Sequence, residues 1–142
     1  SRVNPRVVLV MEARMKILIV DDSKFVRKVV RKCFEGLSVS LDEAADGCEA
    51  LEVYRAMGGA DLVVTDWNMP KMTGIELVER LVSEEHHPTP KIVMLTTENE
   101  QFKIVKALEA GCDDYLMKPF QPDELLCRLE QLMGCESALF QR

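Results

Sequence analysis

The sequence predicts an α/β fold: one doubly wound, five-stranded parallel sheet with helices on both faces. Three observations predict it. Short apolar runs at 15–20, 61–65 and 91–95 alternate with segments whose apolar residues recur at helical spacing, which is the pattern of repeated βα units. The connections between them are short, as a sheet covered on both faces requires. Most runs end in a chemically capable residue: Asp21-Asp22, Asp66, Thr96-Thr97 and Lys118-Pro119. Open α/β sheets bind ligands at the carboxyl ends of their strands, so the pattern that predicts the fold also predicts where a site should lie.

The first clear strand begins at Met15, the second Met of the chain. Residues 1–14 contain an apolar stretch at 7–11 after two arginines, too short for a signal peptide. They are expected to be an N-terminal extension, added in cloning or by upstream read-through, that packs as an extra strand or stays disordered. After Asp21-Asp22, Ser23 is an N-cap, and Phe25, Val26, Val29, Val30, Cys33 and Phe34 recur at helical spacing until Gly36. The other face of this helix carries Lys24, Arg27, Lys28, Arg31 and Lys32. That basic stripe is either a solvated face or a docking surface for an acidic or phosphorylated partner. Residues 39–44 alternate apolar with polar, as a half-exposed outer strand does. A second helix follows Gly47 with Ala50, Leu51, Val53, Tyr54 and Met57 inward, stopped by Gly58-Gly59.

The third strand, 61–66, ends at Asp66 and the turn residues Trp67-Asn68-Met69-Pro70. Ile75, Val78, Leu81 and Val82 mark a third helix expected to run out at His86-His87-Pro88, and the break 88–90 precedes the fourth strand. A fourth helix is expected from Glu98 to Ala110, with Phe102, Val105, Ala107 and Leu108, and Gly111 as its stop. The fifth strand is 114–117. Pro122 suits the first turn of a last helix with Leu125, Leu126, Leu129, Leu132 and Met133 inward and Gly134 at its end. The folded unit is therefore expected to be 15–134, with 135–142 as a tail.

At 142 residues and 47% hydrophobic content, the chain can bury one core and is expected to form one domain. A formal net charge of −6 argues against direct nucleic-acid binding. The 5 cysteines, scattered and without a Cys-x-x-Cys pair, read as reduced thiols of a cytoplasmic protein. No apolar run approaches the roughly 20 residues of a membrane span, so membrane insertion is not expected.

A strand order of 2-1-3-4-5 places the switch point between strands 1 and 3 and brings Asp21 and Asp22 beside Asp66. Three close carboxylates raise one another's pKa unless a cation joins them. Mg2+ answers that need, since it takes oxygen ligands and commonly binds carboxylates together with water and a phosphate oxygen. With the metal and Lys118 the site comes close to neutral. A phosphoryl group there meets metal on one side, ammonium on another and the Thr96 hydroxyl on a third, which is the charge stabilisation phosphoryl transfer demands. Asp66, on the central strand and at the tight turn, is the candidate nucleophile.

These residues, in order and spacing, resemble the receiver domain of two-component response regulators over about residues 15–133. The resemblance rests on Asp21-Asp22, Asp66 in Thr-Asp-Trp-Asn-Met-Pro, Thr96, and Lys118-Pro119-Phe120. It implies a flavodoxin-like fold and a phospho-acceptor switch rather than an enzyme acting on a separate substrate. The phosphate would come from a sensor histidine kinase or histidine phosphotransfer protein, and the output would go to an unknown downstream protein target. It further implies that Asp21, Asp22, Asp66 and the backbone carbonyl of Asn68 bind Mg2+. Lys118 bonds the phosphoryl group, with a cis bond to Pro119. Thr96 and Tyr115 form a switch pair, Tyr115 turning from an exposed position into space that Thr96 vacates, and the face made by helix 4, strand 5 and helix 5 changes. Asn68 and Glu98, two residues beyond Asp66 and Thr96, resemble the lifetime-tuning positions of single-domain chemotaxis regulators.

Other readings compete. Asp22 can be a turn former, Thr96 a helix cap, Lys118 a surface lysine and Tyr115 simple packing. Trp67 and Met69 are expected as site rim and packing, and His86 and His87 in an exposed loop. A flavodoxin-like cofactor binder would share the fold, yet Asp21-Asp22 would repel its phosphate. A haloacid dehalogenase-type hydrolase needs a second acid where Asn68 stands. A non-phosphorylated pseudo-receiver would not need every acid and Lys118 retained, and a receiver belonging to a larger effector-bearing regulator would look the same over this stretch.

Overall fold

The computed structural model describes residues 14–97 and 101–134. The stretches 1–13 and 135–142, and with them most of the expected extension and tail, lie outside the described residues, as does Glu98.

Five parallel strands, β1 (Met15–Val20), β2 (Val39–Ala44), β3 (Leu62–Asp66), β4 (Lys91–Thr96) and β5 (Asp114–Met117), lie in the order β2-β1-β3-β4-β5. Five helices connect and cover them: α1 (Lys24–Cys33), α2 (Gly47–Ala56), α3 (Gly74–Val82), α4 (Gln101–Ala110) and α5 (Pro122–Met133). This is the flavodoxin-like order expected from the βα repeat. Alternation along the strands divides the core into two layers. On one face Ile17 and Ile19 of β1, Val64 and Val93 pack with Val30 and Phe34 at α1 and with Leu125 and Leu129 of α5. On the other, Leu18, Val63, Ile92 and Met94 pack with Tyr54 of α2, Leu77 and Leu81 of α3, and Ala107 of α4.

Helix ends follow local chemistry. The hydroxyl of Ser23 accepts the Val26 amide at 3.2 Å and caps α1. Thr73 caps α3 in the same way through the Glu76 amide, at 3.2 Å. In α5, Pro122 stands in the first turn, where its missing N–H costs nothing. Helix α3 ends at Val82, earlier than expected: the Ser83 hydroxyl donates to the Arg80 carbonyl at 3.0 Å, and no apolar residue from 83 to 87 sustains the periodicity. The chain instead packs His87 against Tyr54, with ring centroids 5.5 Å apart.

Several of the apolar residues that marked α1 and α4 are exposed. Phe25, at the first turn of α1, is 74% exposed. On α4, Ala107 faces the core, whereas Phe102, Val105 and Leu108 are 64%, 45% and 43% exposed. Ala107 and Ala110 pack toward the core there, and these three bulky residues point to solvent.

Candidate functional site

The register explains why the acids meet. Val20 of β1 is opposite Thr65 of β3, so Asp21 emerges beside Asp66. Asp66 is in turn opposite Leu95, and Thr96 opposite Met117, which puts the ends of β4 and β5 on the same edge. Carboxylate oxygens of Asp21, Asp22 and Asp66 all lie within 4.8 Å of one another. Asp21 and Asp66 are buried and Asp22 is exposed.

Lys118 reaches this cluster from the end of β5. Its ammonium donates to Asp21 Oδ2 at 2.9 Å and to Asp66 Oδ1 at 3.0 Å. The Lys118-Pro119 peptide is cis, as the resemblance implied, and the Lys118 amide donates to the Thr96 carbonyl at 2.8 Å. Burial pushes the Asp66 carboxyl above its ordinary value, opposed by the bond from Lys118 and reinforced by the Asp21 charge. Burial acts against the charged form of Lys118, but its bonds to Asp21 and Asp66 outweigh it and raise the ammonium's pKa. Both residues are thus held in an electrostatic balance that an added cation would alter.

The loops are fastened from below. Asp21 Oδ1 accepts the Ser23 amide at 2.8 Å, turning the chain into α1. Arg27 donates from Nη1 to the Asp21 carbonyl at 2.6 Å and from Nε to Glu43 Oε1 at 3.0 Å, tying the acidic loop to β2. Arg31 binds the other oxygen of Glu43 at 3.0 Å. The basic stripe of α1 is therefore divided: Arg27 and Arg31 turn to Glu43, and Lys24, Lys28 and Lys32 face solvent. Nothing in the spacing of the arginines distinguished them from the lysines; only the pairing of β2 with β1 puts Glu43 within reach.

On the β3 side, Asp66 Oδ1 also accepts the Trp67 amide at 2.9 Å. Gly74 donates to the Trp67 carbonyl at 2.8 Å, and a Cβ at Gly74 would collide with the Asp66 carbonyl oxygen, so only glycine lets α3 start this close to β3. Asn68 is exposed at the top of this loop, Met69 is buried beneath it, and Trp67 is half-buried. Thr96 is buried at the end of β4. Tyr115 is half-buried, packed against the cluster that holds Met94 and Ala107, rather than exposed. His86 is exposed and His87 half-buried, both remote in sequence and element from the acids.

The three acids offer only oxygen ligands, two of them buried and already facing one another. That donor chemistry fits a hard divalent cation such as Mg2+. Softer metals would call for imidazole or thiolate.

A family model described as the response regulator receiver domain matches residues 17–130. The chain belongs to that family. This receiver is 37% identical over 121 residues to the chemotaxis protein CheY1 of Helicobacter pylori, covering 84% of the chain and 98% of the relative. Its structure resembles that of the chemotaxis response regulator CheY4 of Vibrio cholerae, with a TM-score of 0.77 and 34% identity over 84% of this chain and 99% of the other. It also resembles a chain in the CheX-CheY-BeF3-Mg complex of Borrelia burgdorferi, with a TM-score of 0.77 and 27% identity over 84% and 89% of the two chains. The receiver is thus a two-component signalling domain similar to single-domain chemotaxis regulators. Among its described helices, none is long and apolar enough to cross a membrane.

Proposed function

We propose that this receiver accepts a phosphoryl group on Asp66 from a phosphohistidine of a sensor histidine kinase or histidine phosphotransfer protein. The observation that carries the reading is the bridge of Lys118 between Asp21 and Asp66 within a cluster of three carboxylates. Asp66 Oδ1 holds the bonds from Lys118 and Trp67, so Oδ2 is the oxygen proposed to attack phosphorus. As the Oδ2–P bond forms, the N–P bond breaks, and its electron pair stays on the imidazole nitrogen of the donor. Lys118 then exchanges one carboxylate for a phosphoryl oxygen, and the Thr96 hydroxyl bonds another. Asp21, Asp22, Asp66 and the Asn68 carbonyl would hold Mg2+, which supplies the positive charge that neutralises the transferred group. A metal and beryllofluoride on a relative of the same fold support this choice of cation.

The resulting state is read at the face formed by α4, β5 and α5. Its exposed Phe102, Val105 and Leu108, with Met117 of β5, offer an apolar surface for a downstream protein. Glu98 and Asn68 tune the lifetime of the phosphoryl group, and the chain acts as a switch that assists its own phosphorylation and dephosphorylation. Incubation with acetyl phosphate and Mg2+ should add one phosphoryl mass to the wild type and none to Asp66→Asn; an adduct of equal yield in the variant would overturn the assignment.

A further inference from the structure

The segment 67–73 carries Asn68 and leads from Asp66 into α3. Its inner end is held by Gly74, as described above. Its outer end contains Lys71 at a φ of 68°, the one non-glycine positive φ among the described residues. An L-residue with a Cβ holds that conformation only where its surroundings over-determine it. Here the surroundings are a tight local turn, closed by the Met72 amide donating to the Pro70 carbonyl at 2.7 Å, together with the N-terminus of α2. Lys71 Nζ lies 3.6 Å from Asp46 Oδ2. Asp46 Oδ1 meanwhile caps α2 by accepting the Glu49 amide at 2.8 Å. Next to it, the side chain of Met72 lies over Gly47 so closely that a Cβ there would stand 2.6 Å from Met72 Cβ. The bond from Glu49 and the nearby Lys71 charge, against some burial, hold the Asp46 carboxyl below its usual range, as a paired carboxylate should be.

We infer that Asp46, Gly47 and Lys71 form a clasp that positions the loop carrying Asn68, so that α2 sets the affinity for the divalent cation without touching it. They are positioning residues. The inference rests on the reading that Asp21, Asp22, Asp66 and the Asn68 carbonyl hold Mg2+. The clasp restricts the loop to one arrangement, from which the carbonyl would serve the cation. Without it the loop samples other conformations, and ordering it is charged against metal binding. Because Lys71 is exposed to water, although Asp46 is buried, removing the pair should weaken binding by about fivefold at most, the factor that about 1 kcal/mol gives. The steric contact at Gly47 is stiffer and its violation should cost about tenfold.

Three variants separate positioning from the simple electric field of the side chains. Asp46→Asn removes a negative charge, Lys71→Ala removes a positive one, and Gly47→Ala changes none. Mg2+ titration of the full chain, followed by Trp67 fluorescence, gives the half-saturation concentration; phosphorylation by acetyl phosphate across the same Mg2+ range gives the rate at saturation. The clasp predicts a raised half-saturation in all three variants, a saturating rate within about twofold of wild type, a double variant Asp46→Asn/Lys71→Ala no worse than the poorer single, and recovery in Lys71→Arg. Shifts of opposite sign in Asp46→Asn and Lys71→Ala would mean a field effect and overturn it. So would unchanged half-saturation with a lowered unfolding midpoint, which would mean that Asp46 only caps α2. If the wild type neither responds to Mg2+ nor takes up phosphate, the underlying reading fails and takes the clasp with it; if it does both and the variants match it, only the clasp fails.

Discussion

Lys118 shows how much rests on one side chain. Its ammonium is the counter-charge to two buried carboxylates, at 2.9 and 3.0 Å. Removing it leaves like charges facing one another with an unpaired demand for a donor. In EDTA, Lys118→Met should therefore cost about 1–3 kcal/mol of stability in urea unfolding. Added Mg2+ should recover most of that loss, because it restores positive charge to the same oxygens. A loss of equal size with and without Mg2+ would show that Lys118 acts through packing alone. The rate of phosphoryl uptake at saturating Mg2+ should fall by about a hundredfold, the usual effect of deleting one donor to a developing oxyanion.

Among the elements, α1 and β2 hold the acidic loop in place through Arg27, Arg31 and Glu43. Burial alone would raise the Glu43 carboxyl, but its hydrogen bonds from Arg31 and Arg27 and their charges prevail, and it sits below the ordinary glutamate value. A carboxyl with a depressed folded pKa contributes stability above its unfolded value, about 4.3, and loses it as pH falls through the lower folded value. Glu43→Gln should accordingly lower stability at neutral pH by about 1 kcal/mol or less and flatten the acid limb below about pH 4. A thermal-midpoint series from pH 7 to 3 in wild type and variant checks this; parallel acid limbs would deny Glu43 the role. Helix α4 teaches a different point at the same scale. Its apolar residues mark a helix, yet of Phe102, Val105, Ala107 and Leu108 only Ala107 is buried.

For the molecule as a whole, the ends of β1, β3, β4 and β5 share one edge, so Asp66 lies close to the ends of β4 and β5. Phosphorylation replaces about one negative charge with about two and adds acceptor oxygens. Thr96, buried at the end of β4, is the hydroxyl proposed to move toward them, and Tyr115, half-buried on the neighbouring strand, is proposed to follow. Such a shift between two packings needs only a few kcal/mol of differential stabilisation. Tyr115 ring resonances should shift when wild type binds beryllofluoride with Mg2+, and shift less in Thr96→Ala. Identical Tyr115 environments in free and mimic-bound wild type would remove this pair from the switch.

The strand order, the meeting of Asp21 and Asp22 with Asp66, and the approach of Lys118 were all legible in the sequence. The reason is that parallel βα units leave few topologies, and in each the strand ends carry the site. Helix termini with a strong local signal, such as Ser23 and Pro122, were legible for the same kind of reason: capping is decided within one turn. Burial on α1 and α4 was not, because periodicity reports that a face is apolar and cannot report whether a sheet lies beneath it. Nor were the roles of Arg27, Glu43, Asp46 and Lys71. Their partners are 16 and 25 residues away along the chain, and only the register of β2 on β1 and the packing of the 67–73 loop on α2 brought a charge within reach of its opposite.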